Sequence, residues 1–283
     1  MMKREDFSVM IFPFGYDMMK GTMSVQDVFE LTARKGFSRV DVLGIDESLQ
    51  DLCRAAIDST GVSVYCFIAN LNFFQSQEEI QKDLRSRLGV AKALDAKLFM
   101  VVPYNDDSQL AEALARGKSD VQQCMVDGFR LAVEMAKEYG LTVCFETTPH
   151  DSFALSGTED CKYVLDQVPG LGLVFDTANM LPHGEETLES YEALKDRIIY
   201  VHLKDVALEP MDPVKPLVEH TKDGQLMRGV VWGEGVIPVK KVASRLLQDG
   251  FTGPFALEYA HPGIFTTEAH EAQLDKFMAY LGL

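Results

Sequence analysis

Ile198-Ile-Tyr-Val-His-Leu-Lys-Asp-Val206 is an apolar, β-branched run whose far end turns ionisable. If the run is a strand, His202 and Lys204 lie two apart and point to one face. Three other apolar runs end on a carboxylate: Val143-Cys-Phe-Glu146, Leu173-Val-Phe-Asp176 and Phe255-Ala-Leu-Glu258. A carboxylate at the end of a buried strand costs free energy unless something pairs with it. Three carboxylates and a histidine, each ending a separate strand, could share one cation.

Outward from this stretch the chain reads as strand-then-helix units. Val9 to Phe14 is strand one, followed by a helix over 25–35 with Ser24 as N-cap and Gly36 as stop. Strand two is 38–43, with a helix to Thr60 closed by Gly61. Strand three is 62–68 with a helix over 78–94. Strand four is 97–102, then a polar loop over 105–108 and a long helical pattern ending at Tyr139-Gly140. Strand five is 141–146 with a helix near 159–166, and strand six is 171–176 with a helix around 188–194. Strand seven is 197–202. The long segment 206–236 follows it, then a helix over 239–248, strand eight at 254–258 and a closing helix over 267–281.

Continuous apolar strands alternating with amphipathic helices predict a parallel sheet covered by helices. Eight such units predict an α/β fold, one (β/α)8 barrel over residues 1–283 as a single domain. Active sites in that fold lie at the C-terminal ends of the strands. Glu146, Asp176, His202 and Glu258 fall at or next to those ends, on strands five to eight.

Composition narrows the function classes. At 283 residues and 47% hydrophobic, the chain can bury one large core. It has no run of eighteen apolar residues, so no membrane span is expected. Met1-Met-Lys-Arg-Glu-Asp6 leads into an apolar strand without a secretory core or cleavage site, so the expected location is the cytoplasm. The net charge of −16 and the absence of a basic run argue against nucleic acid as partner. Five cysteines, odd in number and without a CxxC, fit buried reduced thiols better than disulfides or a zinc ribbon.

Taken singly, Glu146 could pair with a lysine and His202 could be a hydrogen-bonded core histidine. Four such groups at four adjacent strand ends favour a metal, because converging anions in a partly dry site repel one another without a cation. Three carboxylates and one imidazole suit Mn2+ or Mg2+, with Co2+ or Zn2+ admitted by the histidine. A structural zinc would use more sulfur.

The ordered set Phe145-Glu146, Phe175-Asp176-Thr177, Val201-His202-Leu203-Lys204-Asp205, Gly233-Glu234-Gly235 and Leu257-Glu258 resembles the xylose-isomerase-like TIM barrels over essentially the whole chain. That family holds sugar and sugar-phosphate isomerases and epimerases, with inosose dehydratases, hydroxypyruvate isomerases and endonuclease IV as relatives. The resemblance implies that Glu146, Asp176, His202 and Glu258 bind one divalent metal, and that Glu146 and Glu258 move protons on opposite faces of the substrate. Such chemistry is consistent. A cation stabilises the oxygen of the developing enediolate, one carboxylate abstracts the proton beside the carbonyl, and an acid returns it.

One position departs from the family pattern. Where the family often has Asp-Thr-x-His, this chain has Asp176-Thr-Ala-Asn179. Asparagine can hydrogen-bond a sugar hydroxyl but carries no proton near neutral pH. The endonuclease reading is weakened by its histidines and by the charge, since His150, His183, His220 and His261 are not in its motif positions.

Substrate-binding candidates are Asn179, Lys204, Arg228, His150, Tyr16, Asn70 and Tyr104, with His261 similar. Lys204 could instead pair with Asp205 or Glu258. Arg228 and the Gly233-Glu-Gly235 turn lie in the long segment over the barrel mouth, where they could contact substrate or close as a lid. The Gly-x-Gly is not a dinucleotide fingerprint, because no third glycine and helix start follow. The expected function is a divalent-metal-dependent isomerase or epimerase of a ketose or related keto-sugar. An inosose-type dehydratase on the same metal and a non-catalytic sugar-binding barrel are the alternatives. The expected partner is a small-molecule sugar, with neither nucleic acid nor membrane, and a homo-oligomer stays open.

Overall fold

The computed structural model describes residues 2–104, 107–149, 154–210, 220–259 and 266–283. The first half runs β1 Phe7–Met10, α1 Gly15–Met19, α2 Val25–Arg34, β2 Arg39–Leu43, α3 Gln50–Thr60, β3 Ser63–Leu71, α4 Gln77–Ala93 and β4 Leu98–Pro103. Helices α5 Asp107–Arg116 and α6 Lys118–Tyr139 then lead to β5 Thr142–Glu146, α7 Thr158–Gln167, β6 Gly172–Asp176, α8 Thr187–Leu194 and β7 Ile198–Leu203. The remainder is β8 Asp205–Glu209, β9 Leu226–Val230, α9 Val239–Gln248, β10 Phe255–Leu257 and α10 Thr267–Leu281.

Eight parallel strands close into a barrel in the order β1-β10-β7-β6-β5-β4-β3-β2. The expected (β/α)8 architecture is therefore present. Local signals start and stop its helices where elementary chemistry places them. Ser24 accepts from the Asp27 N–H while the Asp27 carboxylate accepts from the Ser24 N–H at 2.7 Å, and Ser76 and Glu79 repeat the arrangement. Gly140 ends α6 in the left-handed conformation at φ 67°.

Side chains alternate across each strand, and the alternation separates two cores. Phe67, Phe99, Phe145, Phe175, Val201 and Leu257 face outward and pack with helix residues such as Phe29, Leu84, Phe129, Leu246 and Phe277. Met10, Cys66, Ile68, Met100, Cys144, Val174, Tyr200 and Ala256 fill the lumen. By the same period of two, Glu146, Asp176, His202 and Glu258 continue the inward-facing rows to the barrel mouth. The lumen is not wholly apolar. Below the mouth, Asp41 accepts from the Ser8 hydroxyl at 2.7 Å, the Tyr200 hydroxyl at 2.6 Å and the Cys66 N–H at 3.1 Å.

Several elements depart from the sequence-based boundaries, strand one and the segment after strand seven the most. Strand one was placed at 9–14, but the strand is Phe7–Met10 and the chain turns into a 3-10 helix over Phe12–Phe14. Pro13 explains the difference, since it lacks the N–H that a ladder needs and presets a helical φ. The segment 206–236 is more ordered than a loop over the mouth: β8 and β9 pair as an antiparallel ribbon, with Asp205 opposite Val230 and Glu209 opposite Leu226. Among the described residues no helix is long and apolar enough to cross a membrane. All five cysteines are free thiols, four of them buried.

Burial pushes the Asp41 carboxyl up to about 6, against the opposing pull of Tyr200, His202 and Ser8. A raised carboxyl favours the folded state when protonated, so its contribution is complete below about pH 4 and is lost as pH rises through about 6. The loss amounts to about 3 kcal/mol. Asp41→Asn should therefore match the parent in stability near pH 4 and exceed it by about that amount at pH 7, as read by urea denaturation of metal-free protein.

Candidate metal centre

Four adjacent strands deliver the four groups. Glu146 and Asp176 are the last residues of β5 and β6, His202 is the penultimate residue of β7, and Glu258 directly follows β10. Register brings them level, since His202 pairs with both Asp176 and Ala256 across the ladders. One ligand atom from each residue lies within 4.8 Å of the other three. His202 Nδ1 is 2.6 Å from Glu146 Oε1 and 3.0 Å from Glu258 Oε2. With metal–ligand bonds of about 2.1 Å, adjacent ligand atoms stand about 3 Å apart and opposite ones about 4.2 Å apart, so the cluster has the span of a coordination shell.

An unpaired atom supplies a second test of fit. Asp176 spends Oδ1 on the N–H groups of Ala178 and Asn179, both at 2.8 Å. Its Oδ2 is buried with no hydrogen-bond partner, and the nearest cation, Lys204 Nζ, stands 3.8 Å away. A buried carboxylate oxygen left in that state is costly unless a cation takes it. The donor set and this open oxygen both fit a divalent metal.

The electrostatics agree. Burial opposes a charged imidazole, yet Glu146 and Glu258 outweigh it and hold His202 well above its ordinary range. Burial would raise Glu258, but Lys204 and His202 hold it down to about 2. Burial, reinforced by Glu258 and Glu146 and opposed by Lys204, pushes Asp176 well up. Protons on His202 and Asp176 thus meet a demand for positive charge that a cation would also meet.

Supporting residues hold the four in place. Thr177 Oγ1 donates to the Lys204 carbonyl at 2.7 Å and accepts from the Lys204 N–H at 2.9 Å, locking the end of β6 to β7. Glu258 N–H donates to the Leu203 carbonyl at 3.2 Å, and the same carbonyl accepts from Trp232 Nε1 at 3.1 Å. On the outer side, the Tyr259 hydroxyl meets His270 Nδ1 at 3.0 Å, and His270 Nε2 meets Asp17 at 3.0 Å. That chain ties the residue after Glu258 to α1 and α10.

The other candidates fall into three groups. Lys204 joins the cluster: its ammonium is buried, 3.2 Å from Glu258 Oε1, 3.8 Å from Asp176 Oδ2 and 2.9 Å from Asn179 Oδ1. It does not turn to Asp205. Asn179 is also at the site but is committed internally, donating from Nδ2 to the Thr147 carbonyl at 2.8 Å while its oxygen holds Lys204. Tyr16, Asn70 and Tyr104 are exposed after or at the end of β1, β3 and β4, and the Lys20 ammonium covers the Tyr16 ring at 4.4 Å. Arg228 sits on the ribbon with Nε 2.6 Å from Glu209. His150 and His261 lie outside the described residues.

The Gly233-Glu-Gly235 turn has a structural partner that the sequence reading missed. Asp205 Oδ2 accepts from Gly233 N–H at 2.8 Å and Gly235 N–H at 3.0 Å, and Oδ1 accepts from Val206 and Ile237 N–H at 2.9 Å each. A side chain at Gly235 would run into the Asp205 carboxylate and the Val206 carbonyl. The turn therefore anchors the base of the ribbon. A usable signal existed, since an aspartate inside an apolar run needs several donors and glycine amides are the least obstructed.

At a metal concentration about 100 times its Kd, binding to the folded chain alone adds about 2.7 kcal/mol. Mn2+ should then raise the melting midpoint of metal-free protein by about 5 °C or more in scanning calorimetry. His202→Ala and Asp176→Ala should show no comparable rise. An unmoved midpoint in the parent would remove the centre.

Comparison with known proteins agrees with this fold. Over a 140-residue stretch the chain is 31% identical to an inosose dehydratase of Bacillus cereus strain AH820, covering 47% of this chain and 45% of that protein. The chain thus spans under half the length of the curated relatives it matches. Its fold matches a xylose isomerase domain containing protein from Salmonella typhimurium LT2 with a TM-score of 0.74 at 17% identity, covering 100% and 99% of the two chains. It also matches the IOLI protein, solved with a binding zinc atom, with a TM-score of 0.66 at 19% identity and 90% coverage of each chain. A family profile described as xylose isomerase-like TIM barrel matches residues 26–280. The chain belongs to the xylose isomerase-like TIM barrel family.

Proposed function

We propose that the protein is a divalent-metal-dependent isomerase or epimerase of a ketose or related keto-sugar, acting by removal of the proton beside the carbonyl. The observation that carries this reading is the convergence of two glutamates on one imidazole, next to a buried oxygen of Asp176 that has no hydrogen-bond partner. Mn2+ or Mg2+ suits the three carboxylates, and the zinc of the solved relative is admitted by the histidine. A cation held by Glu146, Asp176, His202 and Glu258 stabilises, when bound, the negative charge that grows on the substrate oxygen as the proton leaves.

The chain's own groups do the proton work. Glu146 keeps 17% of its side chain exposed, the most open of the four, and faces the mouth where substrate enters. Glu258 is nearly closed off, and Lys204 and His202 favour its ionised form. Assigning one glutamate to each face of the substrate accounts for inversion or migration of a hydroxyl-bearing centre. Lys204, steadied by Asn179, presents its ammonium to an oxygen of the substrate, while Asn179 carries no proton itself. The acidic chain, with no basic run, supports a small sugar rather than nucleic acid as the partner.

A second reading is favoured by the similarity to inosose dehydratase. Dehydration shares the first step, after which a hydroxyl on the next carbon leaves with a proton as water. Incubation with Mn2+ and a panel of keto-sugars in D2O separates the two. Solvent deuterium in a sugar of otherwise unchanged mass supports isomerisation or epimerisation, and a mass loss of about eighteen supports the dehydratase. Glu146→Gln and Glu258→Gln should each slow turnover by about 100- to 10,000-fold. Full activity in either variant would overturn the acid–base assignment.

A further inference from the structure

We infer that Asp41, which touches none of the four ligands, is a buried counter-charge that sets how tightly the centre above it holds a divalent cation. The inference rests on the reading of Glu146, Asp176, His202 and Glu258 as a metal centre. Asp41 is fully buried in the lumen. Its hydrogen-bond donors are the Ser8 and Tyr200 hydroxyls and the Cys66 N–H, all of them neutral.

An anion solvated only by neutral dipoles in a dry lumen is costly. Among the described residues Asp41 has no ion-pair partner. Arg39, on the same face of β2 two residues earlier, is turned away, with its guanidinium on the Glu5 carbonyl and over the Tyr65 ring. Between Asp41 and His202 lies the Tyr200 side chain: its hydroxyl is on Asp41, and its ring meets the His202 imidazole edge-on at 5.4 Å between centroids.

The charge count shows what the carboxylate does. Glu146, Asp176 and Glu258 supply three negative charges and Lys204 one positive, so a bound dication makes the mouth neutral. Asp41 adds one further negative charge beneath it, in surroundings where charges interact over several ångströms with little screening. A dication among the four groups is therefore attracted from below as well as by its ligands. The same carboxylate burdens the metal-free fold, so the site trades stability of the empty barrel for affinity.

Asp41→Asn tests this cleanly, because the amide oxygen can keep Ser8 and Cys66 and the amide nitrogen can donate to the Tyr200 oxygen. Mn2+, Mg2+ and Zn2+ would be titrated by calorimetry into metal-free parent and D41N at pH 7.5. The expected result is at least tenfold weaker binding in D41N, by a similar factor for all three ions, with a melting midpoint of the metal-free protein that is not lowered. Unchanged affinity overturns the inference. A loss confined to Zn2+ also overturns it, since that would mean a misaimed His202 rather than a missing charge. Should D41N not fold, Asp41→Ser removes the same charge and carries the same comparison. A parent that binds none of the three ions refutes the metal centre itself, an outcome distinct from equal binding by parent and variant.

Discussion

Three carboxylates cannot share the buried end of a barrel lumen without positive charge among them. That constraint explains most of what surrounds the mouth. Lys204 is drawn inward against Glu258 and Asp176, although a lysine is ordinarily solvent-facing. His202 is placed where two glutamates can both reach its Nδ1. Asp176 directs one oxygen at two backbone N–H groups, which leaves the other aimed at the cluster. Each arrangement lowers the cost of concentrated negative charge, and none of them consumes all the donor atoms.

Rigidity comes from what the strands do on their other faces. The outward rows of β5 and β6 lock against the helices through aromatic side chains, Phe145 against Phe129 and Phe175 against Tyr191. With the strands so fixed, the inward side chains meet at positions set by register rather than by loop conformation. The exception is the end of β10, a strand of only three residues. There the Tyr259–His270–Asp17 chain and the Leu203 carbonyl supply the restraint that a longer ladder would have given.

The fold and the four-residue cluster were legible because both rest on strong physical signals. Charged residues ending apolar strands are expensive, so their recurrence at Glu146, Asp176, His202 and Glu258 is hard to produce by chance. What escaped the sequence reading depends on distances that no local pattern encodes. Asp41, in Arg39-Val-Asp-Val-Leu43, looked like one polar residue in a strand, and only barrel closure brings Tyr200 to it from 159 residues away. The internal bonds of Asn179, to the Thr147 carbonyl and the Lys204 ammonium, likewise join residues 25 or more positions apart. The β8–β9 ribbon was hidden because more than fifteen residues separate its strands, well beyond the short turns that announce a hairpin.

Trp232 is the one tryptophan of the chain, and its indole N–H donates to the carbonyl that also receives the Glu258 N–H. The indole is buried against Phe277 and shielded from water. The protein thus carries a built-in optical reporter two hydrogen bonds from Glu258, through the shared Leu203 carbonyl. A change in the seating of Glu258 alters the field and the hydrogen bond at that indole, so emission wavelength follows events at the mouth without any attached label.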